Sequence, residues 1–223
     1  MSLSVRSPGL HALFSQGTIK QYARGETIGS TDQQDILFML VQGYVKRYMI
    51  RNDGALGVQI IYGPQDVFSL TRIFQLLLSQ SLYDGPETYY YTAMSDVTVF
   101  TLNAVLLTDC MQTNPVLYRE LFGEAGRHLK ACVHSIENIS LHAIYPRVAH
   151  ELAFMLSEFG RSAGTGKKLP LNITHQDIAD ILGVTRATVS LAVGKLREKG
   201  LILPGRCFAT PDLTALASEA YSS

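Results

Sequence analysis

The chain has 223 residues, 47% hydrophobic and 17% charged, so it can fill a sizeable core and does not belong to the disordered class. Its 19 lysines and arginines balance its 19 aspartates and glutamates, which excludes a polyanion binder that is basic throughout and leaves room only for a local basic patch. Cys110, Cys132 and Cys207 stand far apart without a CxxC pair, so neither a zinc or iron–sulfur motif nor a disulfide framework is evident, and a reducing compartment is expected.

The first residues, Met1-Ser2-Leu3-Ser4-Val5-Arg6, lack an apolar signal core. No apolar run approaches the roughly 18 residues of a membrane span, so a soluble, cytoplasmic protein with no membrane partner is expected.

From about Thr18 to Leu102 the pattern predicts strands. Ile36–Val41 is a β-rich run stopped by Gln42-Gly43, and Tyr44–Ile50 follows it. Arg51-Asn52-Asp53-Gly54 reads as a hairpin turn, because Asp-Gly accepts the positive φ such turns need. Gly57–Tyr62 is the return strand, and Val97–Leu102 alternates at period two. Short strands with turn signals this close together predict a small antiparallel barrel or roll.

After Asn103 the period changes. Asn114-Pro115 reads as a helix start, with asparagine as cap and proline at the first helical position. Leu117, Leu121, Leu129, Val133, Ile136 and Ala143 then recur at helical spacing. That pattern suits either a helix buried against its own barrel or a seam between two helices. Tyr145-Pro146 is expected to break it, and a further helix is predicted from Arg147 to Phe159. Gly164-Thr165-Gly166-Lys167-Lys168 lacks the GxxxxGK[ST] spacing of a phosphate loop and reads as a connector.

Charge is unevenly spread. Residues 161–206 carry Arg161, Lys167, Lys168, Arg186, Lys195, Arg197, Lys199 and Arg206 against Asp177, Asp180 and Glu198, a net of +5 in a chain of net zero. A polyanion surface is therefore expected in the C-terminal third. Thr174-His175-Gln176-Asp177 offers a capping box, Gly183 a left-handed stop, and Thr185-Arg186 the start of a second helix running to Lys199. With His175 as the first position, Ala179 is fifth, Gly183 ninth and Val189 fifteenth, the spacing of a helix-turn-helix whose second helix enters the DNA major groove. On that helix Arg186 suits a guanine edge, Thr185, Ser190 and Lys195 suit phosphates, and Ala187 and Leu191 suit a thymine methyl. Thr174 and Thr188 complete the candidate DNA-facing set. Leu201–Leu203 and Cys207–Ala209 read as a two-stranded wing with Arg206 at its tip.

In this order of parts the chain resembles the CRP/FNR family of bacterial transcription regulators over nearly its whole length. Tyr22-Ala23-Arg24-Gly25-Glu26-Thr27-Ile28 and Phe38–Val45 carry the barrel resemblance, and Ile173–Ala179 with Leu182–Ser190 carry the helix-turn-helix. The resemblance implies an α+β fold with an N-terminal antiparallel β-roll of the cyclic-nucleotide-binding-like jelly-roll type, a long dimerisation helix and a C-terminal winged helix-turn-helix. The corresponding domains are residues 1–113 for effector sensing, 114–145 for the dimerisation helix and hinge, and 146–223 for DNA binding. It further implies a homodimer with Leu129, Val133, Ile136, Ser140 and Ala143 at the seam, a palindromic double-stranded operator with half-sites about 34 Å apart, and RNA polymerase as a partner.

The effector region departs from the family pattern. Relatives that bind cyclic AMP hold the ribose with a glutamate in a Gly-Glu-Leu turn and the phosphate with an Arg-Ser pair. Here Leu70 in Phe68-Ser69-Leu70-Thr71 falls at the glutamate, Glu87-Thr88 at the phosphate pair, and Cys132 and Val133 at the positions that meet the base. A carboxylate facing a phosphate repels it, so the expected effector is not a cyclic nucleotide. The first hundred residues hold no cysteine, unlike iron–sulfur sensors of the family, and a haem would need His11, His128, His134 or His142 as a ligand. Phe68, Tyr83, Tyr89, Tyr90 and Tyr91 with Arg127 and Lys130 offer stacking and charge to a small aromatic or anionic effector, or simply line the two faces of a strand. The candidate effector residues are thus Phe68, Leu70, Glu87, Thr88, Tyr89, Tyr91, Arg127, Lys130, Cys132 and Val133, with no cofactor evident. The expected mechanism is a population shift at a hinge near His142 to Pro146.

Catalysis finds no support. His150-Glu151-Leu152-Ala153-Phe154 begins like the zinc-protease HExxH but has Phe154 at the second histidine. The remaining rival is a sensor or scaffold of the same fold that has lost DNA binding.

Overall fold

A computed structural model of the chain describes residues 5–30, 35–50, 54, 56–78 and 88–221. The expected turn residues Arg51, Asn52 and Asp53, and the candidate residues Tyr83 and Glu87, lie outside the described residues. Two compact units are present, Met1–Ile50 with Gln59–Ala131 and Arg51–Val58 with Cys132–Ser223.

Chain order begins with α1 (Pro8–Phe14), β1 (Thr18–Tyr22), β2 (Thr27–Ser30), β3 (Ile36–Gln42), β4 (Val45–Ile50), β5 (Leu56–Tyr62), β6 (Val67–Phe68), α2 (Thr71–Leu78), β7 (Tyr89–Ala93), β8 (Val97–Asn103) and α3 (Ala104–Thr113). The strands form two four-stranded sheets, ordered β1-β8-β3-β6 and β2-β7-β4-β5, a β-roll. β3 shows why Ile36–Val41 is continuously apolar. Its alternate residues Phe38 and Leu40 enter the core between the sheets with Ile28, Val45, Ile60, Tyr62, Phe68 and Tyr91. Leu37 and Met39 point the other way, into a core built with Leu10, Phe14, Ile73, Leu107 and Met111 of the helices. A strand buried on both faces has no polar side to write. Gly43, at φ 91°, ends it where a Cβ would lie 2.3 Å from the Asp96 carbonyl oxygen, so no other residue fits.

The strand-only reading of residues 18–102 is corrected by α2, and α1 was likewise not foreseen. Both are too short to announce themselves by periodicity, and burial of Leu10, Phe14 and Ile73 decides them.

α4 (Pro115–Ser140) starts as expected, with the Asn114 Oδ1 accepting from the Val116 N–H at 3.2 Å. Its apolar positions divide. Leu117 and Leu121 are buried in the helical core of the first unit. Phe122, Leu129, Val133, Ile136 and Ile139 are exposed, at 80, 65, 45, 68 and 72%.

The second unit holds α5 (Ile144–Phe159), β9 (Arg161–Ala163), β10 (Gly166–Lys168), α6 (His175–Leu182), α7 (Arg186–Glu198), β11 (Ala209–Thr210) and α8 (Leu213–Glu219). Three expectations are corrected here. α5 begins at Ile144 rather than Arg147, and α4 stops at Ser140, so the break falls at residues 141–143. Pro146 sits in the first turn, where a missing N–H costs nothing, and the Tyr145 hydroxyl donates to Glu219 Oε1 at 2.6 Å to hold the pre-proline residue helical. The supposed connector 164–168 is half of the β9–β10 hairpin. The wing is not a two-stranded ribbon. β10 pairs with β11, and the segment from Leu203 to Ala209 is closed only by the Leu203 N–H donating to the Ala209 carbonyl at 2.8 Å.

Long-range hydrogen bonds to two carboxylates of α4 hold the N-terminal helix. Ser7 makes no capping bond to α1; its hydroxyl donates instead to Glu124 Oε1 at 3.1 Å. The orphan N–H groups of Gly9 and Leu10 donate to the Glu120 carboxylate of α4 at 3.1 and 2.7 Å. Glu120→Ala should therefore lower the stability of the chain by about 1–2 kcal/mol in urea unfolding, as loss of a cap does. An unchanged midpoint would show that α1 is held by its apolar contacts alone.

Candidate nucleic-acid interface

α6 and α7 are set by local chemistry at both ends of the turn between them. The Thr174 hydroxyl accepts from the Asp177 N–H at 3.1 Å, and Asp177 Oδ2 accepts from the Thr174 N–H at 2.9 Å, a complete capping box. Gly183 takes the left-handed conformation at φ 65°. The Thr185 side chain caps α7 by accepting from the Thr188 N–H at 3.3 Å. Ile178, Ala179 and Leu182 of α6 and Val189, Ala192, Val193 and Leu196 of α7 are buried. The last carbonyl of α6, on Leu182, accepts from Arg147 Nη2 at 2.8 Å.

This packing turns one side of α7 to solvent. Thr174, Thr185, Arg186, Ala187, Leu191, Lys195 and Arg206 are exposed, while Thr188 and Ser190 are half-buried. Leu191, at 72% exposure, is a large apolar side chain left in water on an otherwise polar face. Ser190 and both threonine caps have structural duties. The Ser190 hydroxyl donates to the Arg186 carbonyl at 3.0 Å and meets His175 Nδ1 at 2.8 Å.

A cleft of about 480 Å³ opens beside them, lined by Thr174, His175, Gln176, Arg186, Arg197 and Arg206 among others. Among the described residues, none of its three guanidinium groups is paired with a carboxylate. His175 is pushed below the ordinary histidine range by burial, then by the charges of Arg197 and Arg186. Three unpaired cations around one concavity beside a helix start make an anion-binding surface. Arg197, counted in the basic excess, and His175, the first position of the helix-turn-helix, are additions to the DNA-facing set expected from sequence; the helical spacing from Arg186 to Arg197, with the turn that returns Arg206, is the signal for them.

The candidate effector residues are dispersed. Phe68 is fully buried, stacked on Phe38 at 5.0 Å and close to Tyr62 and Tyr91 at 5.2 and 5.1 Å. Leu70 points into the helical core of the first unit. Thr88 and Tyr89 are half-buried, with the Arg47 guanidinium 4.9 Å from the Tyr89 ring centre. Arg127 is paired with buried Glu124 and lies 3.8 Å from Asp66, and Lys130 is exposed. Cys132 and Val133 belong to the second unit and are exposed. His128, with Nε2 3.0 Å from the Val67 carbonyl and its ring 5.2 Å from Tyr62, is brought to this region by α4.

Residues 146–219 match the family model of the Crp-like helix-turn-helix domain. Over 218 residues the chain is 25% identical to the CRP-like cAMP-activated global transcriptional regulator of Mycobacterium tuberculosis, covering 97% of this chain and 94% of that protein. Its fold is similar to that of a CooA mutant from Carboxydothermus hydrogenoformans, with TM-score 0.73 at 19% identity over 94% of this chain and 90% of that one. FixK2 from Bradyrhizobium japonicum has TM-score 0.71 at 22% identity, covering 90% of this chain and 96% of its own. Among the described residues no helix is long and apolar enough to cross a membrane.

His128 supplies a test of the first unit. Burial, then the nearby Arg47 charge, push it from 6.5 to about 4, with Arg127 adding to the effect and the Val67 carbonyl opposing it. The folded chain therefore keeps this imidazole neutral where the unfolded chain takes up a proton. Its contribution to stability is complete above pH 6.5 and is lost as pH falls toward 4, on the order of 2 kcal/mol once partial exposure is discounted. His128→Gln, whose amide can donate to the same carbonyl, should flatten urea stability between those pH values; an unaltered profile would contradict the assignment.

Proposed function

We propose that the chain is a transcription regulator of the CRP/FNR type rather than an enzyme, and that it acts as a homodimer on a palindromic promoter site. The observation that carries this reading is the unpaired basic cleft beside the exposed face of α7. In it Arg186 stands at the helix start, where two N–H donors reach a guanine O6 and N7; Arg197 and Arg206 of the cleft, with Lys195 on the exposed face of α7, neutralise phosphates. Ala187 and Leu191 contribute apolar contact to thymine methyl groups, so the preferred site differs from that of relatives with charged groups there.

The dimer reading rests on α4. Phe122, Leu129 and Ile136 recur every seven residues, with Val133 between the last two and Ile139 after them, all exposed on a helix whose earlier leucines are buried. An a/d stripe of this kind is what a second copy covers, at roughly 1.5–3 kcal/mol for each large side chain fully buried. Ser140 ends the helix on this side, and Ala143 continues it beyond. Two-fold symmetry then puts the two α7 helices in successive major grooves.

The effector is a small molecule other than a cyclic nucleotide. Supporting this, Leu70 is committed to the core where a ribose-binding carboxylate would stand, and the Arg127 guanidinium is already paired with Glu124. RNA polymerase is the further partner at the promoter.

Arg186→Ala should cost about 1–3 kcal/mol on the best duplex and relax preference at one base pair of each half-site. Lys195→Ala should instead weaken all duplexes alike and reduce the salt slope by about one. Fluorescence anisotropy across salt concentrations reads both. If neither variant altered affinity or slope, the chain would be a protein-binding scaffold of the same fold.

A further inference from the structure

His134, Glu137 and His150 place their ligand atoms within 4.8 Å of one another, His134 buried, His150 half-buried and Glu137 exposed. We propose that they form a binding site for a borderline divalent transition-metal cation of the zinc class, joining the last turns of α4 to α5. The site is independent of the DNA-binding reading.

The donor set selects the metal. Two imidazoles and one carboxylate suit zinc, cobalt or nickel rather than calcium or magnesium, which take oxygen alone. Three protein donors leave the fourth tetrahedral position to water. Donor atoms around zinc at about 2 Å stand somewhat closer than 4.8 Å, so binding draws in the exposed Glu137 side chain and turns the half-buried His150 ring.

The surroundings orient the ligands as second carboxylates do around metal-binding histidines. His134 Nε2 lies 2.9 Å from Oε2 of the buried Glu151, which can only accept from it. Donation from Nε2 to this carboxylate leaves Nδ1 as the nitrogen that presents a lone pair to a metal. The Phe154 ring, stacked on His134 at 3.8 Å, fixes the plane of that imidazole, while His150, stacked on it at 4.4 Å, has to turn to bring its in-plane lone pair to the same ion. The Asn138 amide, held by bonds to Arg147 at 3.0 and 3.1 Å, comes within 3.5 Å of His150 Nδ1, and the Tyr221 hydroxyl within 3.3 Å of its Nε2.

This arrangement accounts for the incomplete HExxH. His150 and Glu151 begin the motif on α5, and Phe154 replaces its second histidine. The missing imidazole comes instead from α4 as His134, packed on that same Phe154 ring. Ligands on two helices also explain why no linear metal motif is visible: His134 and Glu137 are one helical turn apart, and His150 lies beyond the break between α4 and α5.

The test is titration of the full-length chain, stripped by chelator, with Co²⁺ followed by displacement with Zn²⁺. The expected result is one saturating cobalt per chain, with visible absorption of a nitrogen–oxygen site and none of the charge transfer that a thiolate ligand gives. Glu137→Gln, at an exposed position, and His150→Gln should each weaken affinity by at least about tenfold with unchanged circular dichroism, while Cys132→Ser leaves it intact. Absence of saturable one-per-chain binding, a thiolate signature, or wild-type affinity in either the Glu137 or the His150 variant overturns the site.

Discussion

Burial of Ile178, Ala179 and Leu182 against Val189, Ala192, Val193 and Leu196 fixes how α6 crosses α7, and every side chain on the exposed face of α7 depends on that crossing. Small and branched residues let the helices approach, and the left-handed Gly183 lets the chain reverse in a turn that a Cβ would strain. Once the crossing is set, Arg186 has one place to stand, at the exposed start of a helix whose far side is core. The caps on Thr174 and Thr185 hold both helix starts, and Arg147 closes the end of α6. The hydroxyls on this side are therefore scaffolding first. The chemistry left exposed is guanidinium and methyl.

The first unit obeys a different constraint, that of a strand with two interiors. β3 feeds the core between the sheets with one set of alternate side chains and the helical core with the other. Helices α1, α2, α3 and the start of α4 cover its outer side. The buried Glu124 sits at that seam, accepting from the Ser7 hydroxyl and the Val67 N–H and pairing with Arg127. A charge in such a place is tolerated because its oxygens are satisfied by donors from three segments. The same satisfaction withdraws Arg127 from the role of a waiting anion receptor.

Elements whose cause is local were legible in the sequence. The strands β3, β4, β5 and β8, the start of α4, and the α6–α7 pair are written in alternation, in caps and in glycine stops that lie within a few residues of what they determine. The elements that escaped are decided at a distance. α1 is capped by a carboxylate more than a hundred residues away, and the β9–β10 hairpin is completed by β11. Pro146 was misplaced because the rule against helical residues before proline was met by a Tyr145 hydroxyl bond to α8. On the interface, Arg186 and Arg206 were legible from charge and spacing, whereas Arg197 and His175 joined them only when the turn was closed. The scatter of the aromatic residues between core and surface was not legible either, because an alternating strand reads the same whichever side faces a ligand.

The central claim is that the exposed face of α7, presented twice by a symmetric dimer, reads a DNA sequence. Selection of bound duplexes from a random library by the purified full-length chain tests it most directly. Recovery of an inverted repeat whose half-sites are separated by about one helical turn, 34 Å, is the expected result, with its loss when Arg186 is replaced. Recovery of unrelated sequences, or of a single half-site with no symmetric partner at any effector concentration, would contradict it.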